Sequence, residues 1–429
     1  MKKIKFFLLI LIIFLSLSAL AFSKVQTHNG LRYYFYQDKG SRIGAINVLV
    51  RAGSIFDEQG KDGTAFILAN LLKKGGTEKY STDKLLNILD ATGIELYSSC
   101  GKDFININLK FIKSEEKRAF EILEQVLFYP SFNKKEFDNI KREVIGLITS
   151  YQNNNDYLAL HQGAIHLFKN RAYAHSSFGE INTVKNLTIN DEKNFYKKYF
   201  IPSNMIITFA GNLDKNLINS FINKNFKKSS HKKIKEIFPV YFNKKANLFK
   251  EKNLKQSYIY FLFPSSGLKG KDFYSLKILG FILGGNLTSI LAEKIRKELG
   301  LAYSVYSFNY PYVNGGFFVI GMQTENSTRE MAIKTTLNIL KSLKKHGISE
   351  NKIKFAKNFF SGKIPISLQS LLSIANYYSQ AIFLNKNLPP WDDDIKHIEK
   401  VNKREIDHLV KKLFDFNRMV ISVVGKNGK

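Results

Sequence analysis

Arg296 and Tyr303 stand seven residues apart in the stretch LAEKIRKELGLAYSVYSFNYPYVNGGFF, residues 291–318. An arginine offers a planar fork of N–H donors that matches a carbonyl or carboxylate group. A tyrosine hydroxyl can donate to a carbonyl oxygen or to an oxyanion that develops from it. Arg296 falls late on a predicted helix that Gly300 breaks, and Tyr303 opens the strand that follows. Gly315 and Gly316 would let another backbone come close beside that strand. The plainer alternative is an arginine capping its helix and a tyrosine packed in a sheet.

Histidines are the second source of chemistry. His161 and His166 lie five apart on one predicted helix, and His175 follows in a loop. A metal trio could be drawn from them, but no glutamate sits at a matching spacing on that helix. Ordinary packing or surface histidines account for the same pattern.

The elements that must position these residues are legible in part. Leu31–Gln37 and Ile43–Ala52 alternate as paired strands around the turn Asp38-Lys39-Gly40. Gly63–Tyr80 reads GTAFILANLLKKGGTEKY, with Ala65, Leu68, Leu71 and Leu72 on one helical stripe and Gly75-Gly76 as its stop. Ser81 caps a helix to Thr92. Strands are expected over Gly93–Ser99 and Phe104–Phe111, helices over Glu115–Phe128, Lys134–Tyr151, Tyr157–Phe168, Asp191–Tyr199 and Leu217–Asn225, and a strand over Asn204–Ala210. The second half has helices over Phe273–Leu283, Thr288–Lys297, Ser327–Lys344, Ser349–Ser361, Leu368–Leu384 and Lys403–Leu413. Its strands are Gln256–Phe263, Tyr303–Tyr310, Gly316–Met322 and Arg418–Val424.

An internal repeat organises this list. NMIITFAG at Asn204–Gly211 matches NRMVISVVG at Asn417–Gly425 from the glycine end, and the same interval separates Gly53 from Gly267. Two copies of one α+β unit follow, each a largely antiparallel sheet with helices over one face. The domains are read as 22–228 and 253–429, joined by a lysine-rich connection, 229–252.

The N-terminus has a short basic segment, an apolar run from Phe6 to Leu17, and Ala19-Leu20-Ala21. Residues 1–21 therefore read as a signal peptide cut after Ala21, with a retained anchor as the alternative. The mature chain is expected to be periplasmic or secreted. The formal charge of +29 comes from lysines spread along all 429 residues. It favours anionic partners in general. Without zinc-finger spacing or an arginine cluster interleaved with aromatics, no specific nucleic-acid reader is indicated. Cys100 is the only cysteine, so no internal disulfide can form.

The segment GTAFILANLLKKGGTEKY resembles the zinc helix of the pitrilysin-type (M16) metallopeptidases, which usually reads G-x-A-H-x-x-E-H-x-x-x-K-G-T. Phe66 stands at the first histidine position, Ala69 at the glutamate and Asn70 at the second histidine. A zinc site needs three N, O or S ligands and an open position for water. A phenyl ring, a methyl group and a neutral amide do not supply them. The resemblance places the third ligand, a glutamate, at Leu147 in the segment REVIGLI. It also matches residues 291–318 to the family's C-terminal half, where an arginine and a tyrosine face the zinc across the substrate chamber. It matches Tyr97, Ser98 and Ser99 to the sheet edge where the family adds peptide as a strand.

The resemblance thus implies a two-domain α+β fold with no zinc in this chain. One expectation is the non-zinc subunit of a heterodimeric exported peptidase. A homologous partner would then supply zinc and general base, and Arg296 and Tyr303 would bind peptide and stabilise the oxyanion; without that partner a homodimer could form. The alternative is a catalytically inactive peptide-binding or assembly protein.

Overall fold

The computed structural model describes residues 24–427 apart from 170, 229–233 and 235–239. The signal-peptide reading over 1–21 and much of the connection lie outside the described residues. No helix among the described residues is long and apolar enough to cross a membrane.

Two sheets carry the fold. The first has the order β1-β2-β6-β3-β5-β4, formed by Gln26–His28, Leu31–Gln37, Met205–Gly211, Ile43–Val50, Ile105–Ile112 and Glu95–Cys100. The second has the order β7-β11-β8-β10-β9, formed by Ala246–Glu251, Val420–Gly425, Gln256–Ser265, Gly316–Glu325 and Ala302–Pro311. The pairs β2–β6 and β7–β11 are parallel, and the other pairs are antiparallel. The repeat seen in the sequence is therefore a repeat of sheets, with β6 and β11 as equivalent central strands. Their burial is continuous because both faces of each strand are covered.

One strand differs from the sequence reading. Ala246–Glu251 falls in the stretch read as a connection, yet it pairs along its length with β11. Its sequence ANLFKE is half apolar yet stays mostly exposed, as an edge strand can. The repeat interval itself maps β2 onto this segment, which is the signal that could have found it.

The helices lie in the expected order. Those that matter below are α1 (Thr64–Lys74), α2 (Thr82–Thr92), α3 (Glu116–Phe128), α4 (Lys134–Asn153), α5 (Asn155–Leu167), α6 (Ile189–Tyr199) and, in the second half, α7 (Phe273–Gly284) and α8 (Leu371–Phe383). Ser81 caps α2 by accepting from Lys84 N–H, and Gly76, at φ 73°, takes the left-handed turn after α1.

The halves exchange helices. α5, from the first half, packs on β8 and β11 of the second sheet. α8, from the second half, packs on β3 and β6 of the first. At the first contact Ser422 Oγ donates to Ala159 O, and Gln162 Nε2 donates to Val423 O at 3.2 Å. A Cβ on Gly163 would come within 2.6 Å of the Leu262 side chain and 3.0 Å of Ser422 Cβ, so any larger residue there would force these side chains to give way. At the second contact Thr208, the repeat equivalent of Ser422, shares a hydrogen bond with Ser379 at 2.9 Å. Ala45, Ala210 and Ala375 form the small-residue patch beside it. Each sheet thus has its own helices on one face and a borrowed helix on the other.

Candidate functional site

α1 begins at Gly63, whose φ of 105° is left-handed and which has no side chain to cap the helix. The Asp57 carboxylate does that work, accepting from Gly63 N–H at 2.8 Å and Ala65 N–H at 2.9 Å. Burial raises the Asp57 carboxyl to about 7, against the pull of those two N–H groups. A Cβ on Gly63 would sit 2.7 Å from Phe178 O, and one on Gly179 2.1 Å from Asp62 O. The loops before α1 and around 178 are therefore pressed together, backbone on backbone.

The three motif positions follow on the first two turns. Phe66 is half-buried, and its ring meets Phe178 edge-on with centroids 5.0 Å apart. Ala69 is 1% exposed and belongs to the main core. Asn70 Nδ2 donates to Phe66 O at 2.8 Å, so its amide is spent on its own helix. On α4, Leu147 is half-buried, while Val144, Ile145 and Ile148 pack in the apolar cluster that includes Phe66, Ile67 and Leu71. These side chains offer no anionic or imidazole donor, so the donor set does not fit zinc.

One group of possible ligands does lie close by. Asp57, Asp62 and His175 hold ligand atoms within 4.8 Å of one another. Both Asp57 oxygens already cap α1, and His175 Nε2 bonds Ser54 O at 2.8 Å. The cluster serves to pin the start of α1. Sequence reasoning missed Asp57, an acid seven residues before the first helical residue Thr64. His175 is thus grouped with two aspartates and not with His161 or His166. His161 stacks on Tyr157 with centroids 4.9 Å apart, and burial lowers its pKa to about 4.

Arg296 and Tyr303 are brought together. The guanidinium lies over the Tyr303 ring, 4.9 Å from its centroid. The helix expected over 288–297 is instead a π-helix over Ala292–Glu298, with Leu299 N–H reaching Lys294 O at 3.2 Å, five residues back. Apolar spacing cannot separate an α-turn from a π-turn. The β9–β10 register shifts between Met322 and Thr324, where Tyr303 and Ser304 face the single residue Gln323. This bulge turns both outward, and Tyr303 is 85% exposed.

The remaining predicted positions are dispersed. Tyr97, Ser98 and Ser99 lie on β4, the outer strand of the first sheet. Tyr97 is exposed and donates to Glu95 Oε2 at 2.8 Å, while Ser98 Oγ is buried without a partner. Gly315 and Gly316 sit at the far end of β9 from Tyr303, since Gly316 pairs with Pro311. Both are buried, against Val240 and against Tyr310 O, so this chain's own atoms fill the space they leave. Next to them Val313 N–H donates to Asp103 Oδ2 at 3.0 Å, and Tyr173 OH donates to Asp103 Oδ1 at 2.8 Å. That turn joins the halves and is not beside Tyr303.

Residues 34–176 match the model of a family described as Insulinase (Peptidase family M16), and residues 186–360 match the Peptidase M16 inactive domain. The chain belongs to the M16 peptidase family. It is 25% identical over 431 residues to "Non-peptidase homolog YmxG" of Helicobacter pylori, covering 98% of each chain. It is 23% identical over 400 residues to "Uncharacterized zinc protease YmxG" of Bacillus subtilis, covering 92% of this chain and 97% of that one. Among solved structures, the peptidase M16 inactive domain from Pseudomonas fluorescens superposes with a TM-score of 0.87 at 20% identity, over 94% of this chain and 99% of that one. The two-sheet architecture is the M16 fold, and this M16 chain carries no zinc motif on α1.

Proposed function

We propose that this chain is a non-catalytic M16-fold protein that binds extended polypeptide, acting outside the cytoplasm. The observation that carries the reading is the filling of positions 66, 69 and 70. A ring set edge-on against Phe178, a buried methyl group and a self-bonded amide replace what would have to be two imidazoles and a carboxylate. The name of the Helicobacter relative, a non-peptidase homolog, supports it. The test is equilibrium binding of unstructured peptides to the purified chain, with their integrity followed by mass spectrometry. Binding without cleavage is expected; cleavage by the chain alone sinks the reading.

A second reading rests on Arg296 and Tyr303. Their mutual contact, on a bulge that holds Tyr303 in solvent, leaves a donor pair free to meet another molecule. On this reading a homologous zinc-bearing subunit faces the pair, and the composite site hydrolyses peptides. Reconstitution with such a subunit should then give an activity that Arg296→Ala or Tyr303→Phe abolishes. An activity indifferent to both substitutions excludes it.

A further inference from the structure

β7 is the terminal strand of its sheet, and its outer edge faces no strand among the described residues. Ala246 N–H bonds Met419 O and Lys252 N–H bonds Gly425 O, so the even-numbered residues face β11. By the alternation of a strand, the N–H and C=O groups of Asn247, Phe249 and Glu251 point away from it. Such a row of groups is a template for another strand.

The first sheet shows what covers the equivalent edge. β2, like β7, pairs in parallel with the central strand of its sheet, and β1 closes its other edge in antiparallel register. In the second half the residues just before β7 are diverted. Lys169 N–H bonds Tyr241 O and Asn243 N–H bonds Leu167 O, both at 2.9 Å, and Phe168 bridges Phe242. That segment is used at the end of α5, and no strand among the described residues takes the place of a β1 equivalent.

A groove of about 890 Å³ runs there, bounded by Asn247–Lys250 of β7, by α5 and by the end of α4. One wall is aromatic. Phe178 stacks on Tyr151 with centroids 4.9 Å apart, Tyr151 meets Tyr157 at 4.6 Å, and Tyr157 stacks on His161. The wall continues to Phe66, so the ring at the lost histidine position braces it from behind. The lining is close to neutral, with Lys250 and Glu180 as its charged members.

We propose that an extended peptide with alternating apolar side chains adds to β7 as an antiparallel strand, taking the place that β1 takes on β2. Its backbone pairs with Asn247, Phe249 and Glu251, and every second side chain lies against Tyr151, Tyr157 and Phe178. This names the site for the polypeptide binding proposed above and rests on that reading.

The probe is a pool of unstructured peptides of about twelve residues rich in Val, Leu and Phe. Binding is read by fluorescence anisotropy and by amide hydrogen exchange of the whole chain. Slower exchange is expected at Asn247, Phe249 and Glu251. Phe249→Pro removes one outward N–H and leaves the β11 ladder intact. At least tenfold weaker binding is expected. Ile165→Trp, which adds bulk in the groove without altering β7, should weaken binding similarly, with the thermal midpoint of each variant reporting its fold. Binding that protects another segment, such as 95–100, and ignores both substitutions overturns this site but keeps peptide binding. No binding of any peptide overturns both.

Discussion

The Phe66 ring stands edge-on to the Phe178 ring, with centroids 5.0 Å apart and planes at 81°. Phe66 is the position that the sequence resemblance matches to the family's first zinc histidine, and the pair couples α1 to the aromatic wall of the groove. A half-buried ring in such a contact stabilises the fold in a way a metal ligand without its metal does not. Phe66→Ala should cost about 1–3 kcal/mol, measured by denaturant unfolding. A cost near zero would mean the ring is not structural.

Helix exchange makes a second, paired prediction. Gly163→Val should destabilise by about 1–3 kcal/mol, because its Cβ would press on Leu262 and Ser422. Gly146→Ala, on α4 with nothing within 4 Å of the added Cβ, should instead stabilise by about 0.5–1 kcal/mol. Thermal unfolding of the two variants side by side checks both signs.

Much of the fold was legible because period and punctuation agreed. The stripe of Leu68, Leu71 and Leu72 ended at Gly75-Gly76, and the Gly211 and Gly425 strands repeated. What was not legible concerns partners. The apolar face of α5 shows in the sequence, but not that it lies on Leu262 and Ser422 of the other half. Ala246–Glu251 hid behind its lysine and asparagine, since an edge strand need not be apolar. Arg296 and Tyr303 were singled out by the family resemblance of residues 291–318, and they do touch. Gly315 and Gly316 suggested an opening beside that pair, yet the length of β9 separates them from Tyr303.

Glu192 on α6 is fully buried, and neither carboxylate oxygen has a hydrogen-bond partner. Burial holds its pKa well above the usual carboxylate range, with Asp57 and Asp191 adding to the shift. The folded chain therefore keeps a proton that the unfolded chain releases above about pH 4. Its contribution to stability is full below that pH and is lost as pH rises through the folded value. Asp57, raised to about 7, acts in the same direction, while His161, lowered to about 4, opposes them between about pH 4 and 6.5. Glu192→Gln should thus gain stability over the native chain increasingly from pH 5 to pH 8, by about 1–3 kcal/mol at the upper end. A difference independent of pH would show that Glu192 does not titrate with folding.

Because Tyr303 is 85% exposed, Tyr303→Phe should shift stability by less than about 0.5 kcal/mol. Circular dichroism melting checks this. A large loss would assign the residue to packing and weaken the composite-site reading.

The most direct test is native mass spectrometry of the purified chain incubated with zinc and the apolar peptide pool, which reads bound metal, bound peptide and cleavage together. Intact peptide on the chain is expected, with no zinc retained and no fragments formed. A stoichiometric zinc adduct accompanied by cleaved peptide would contradict it.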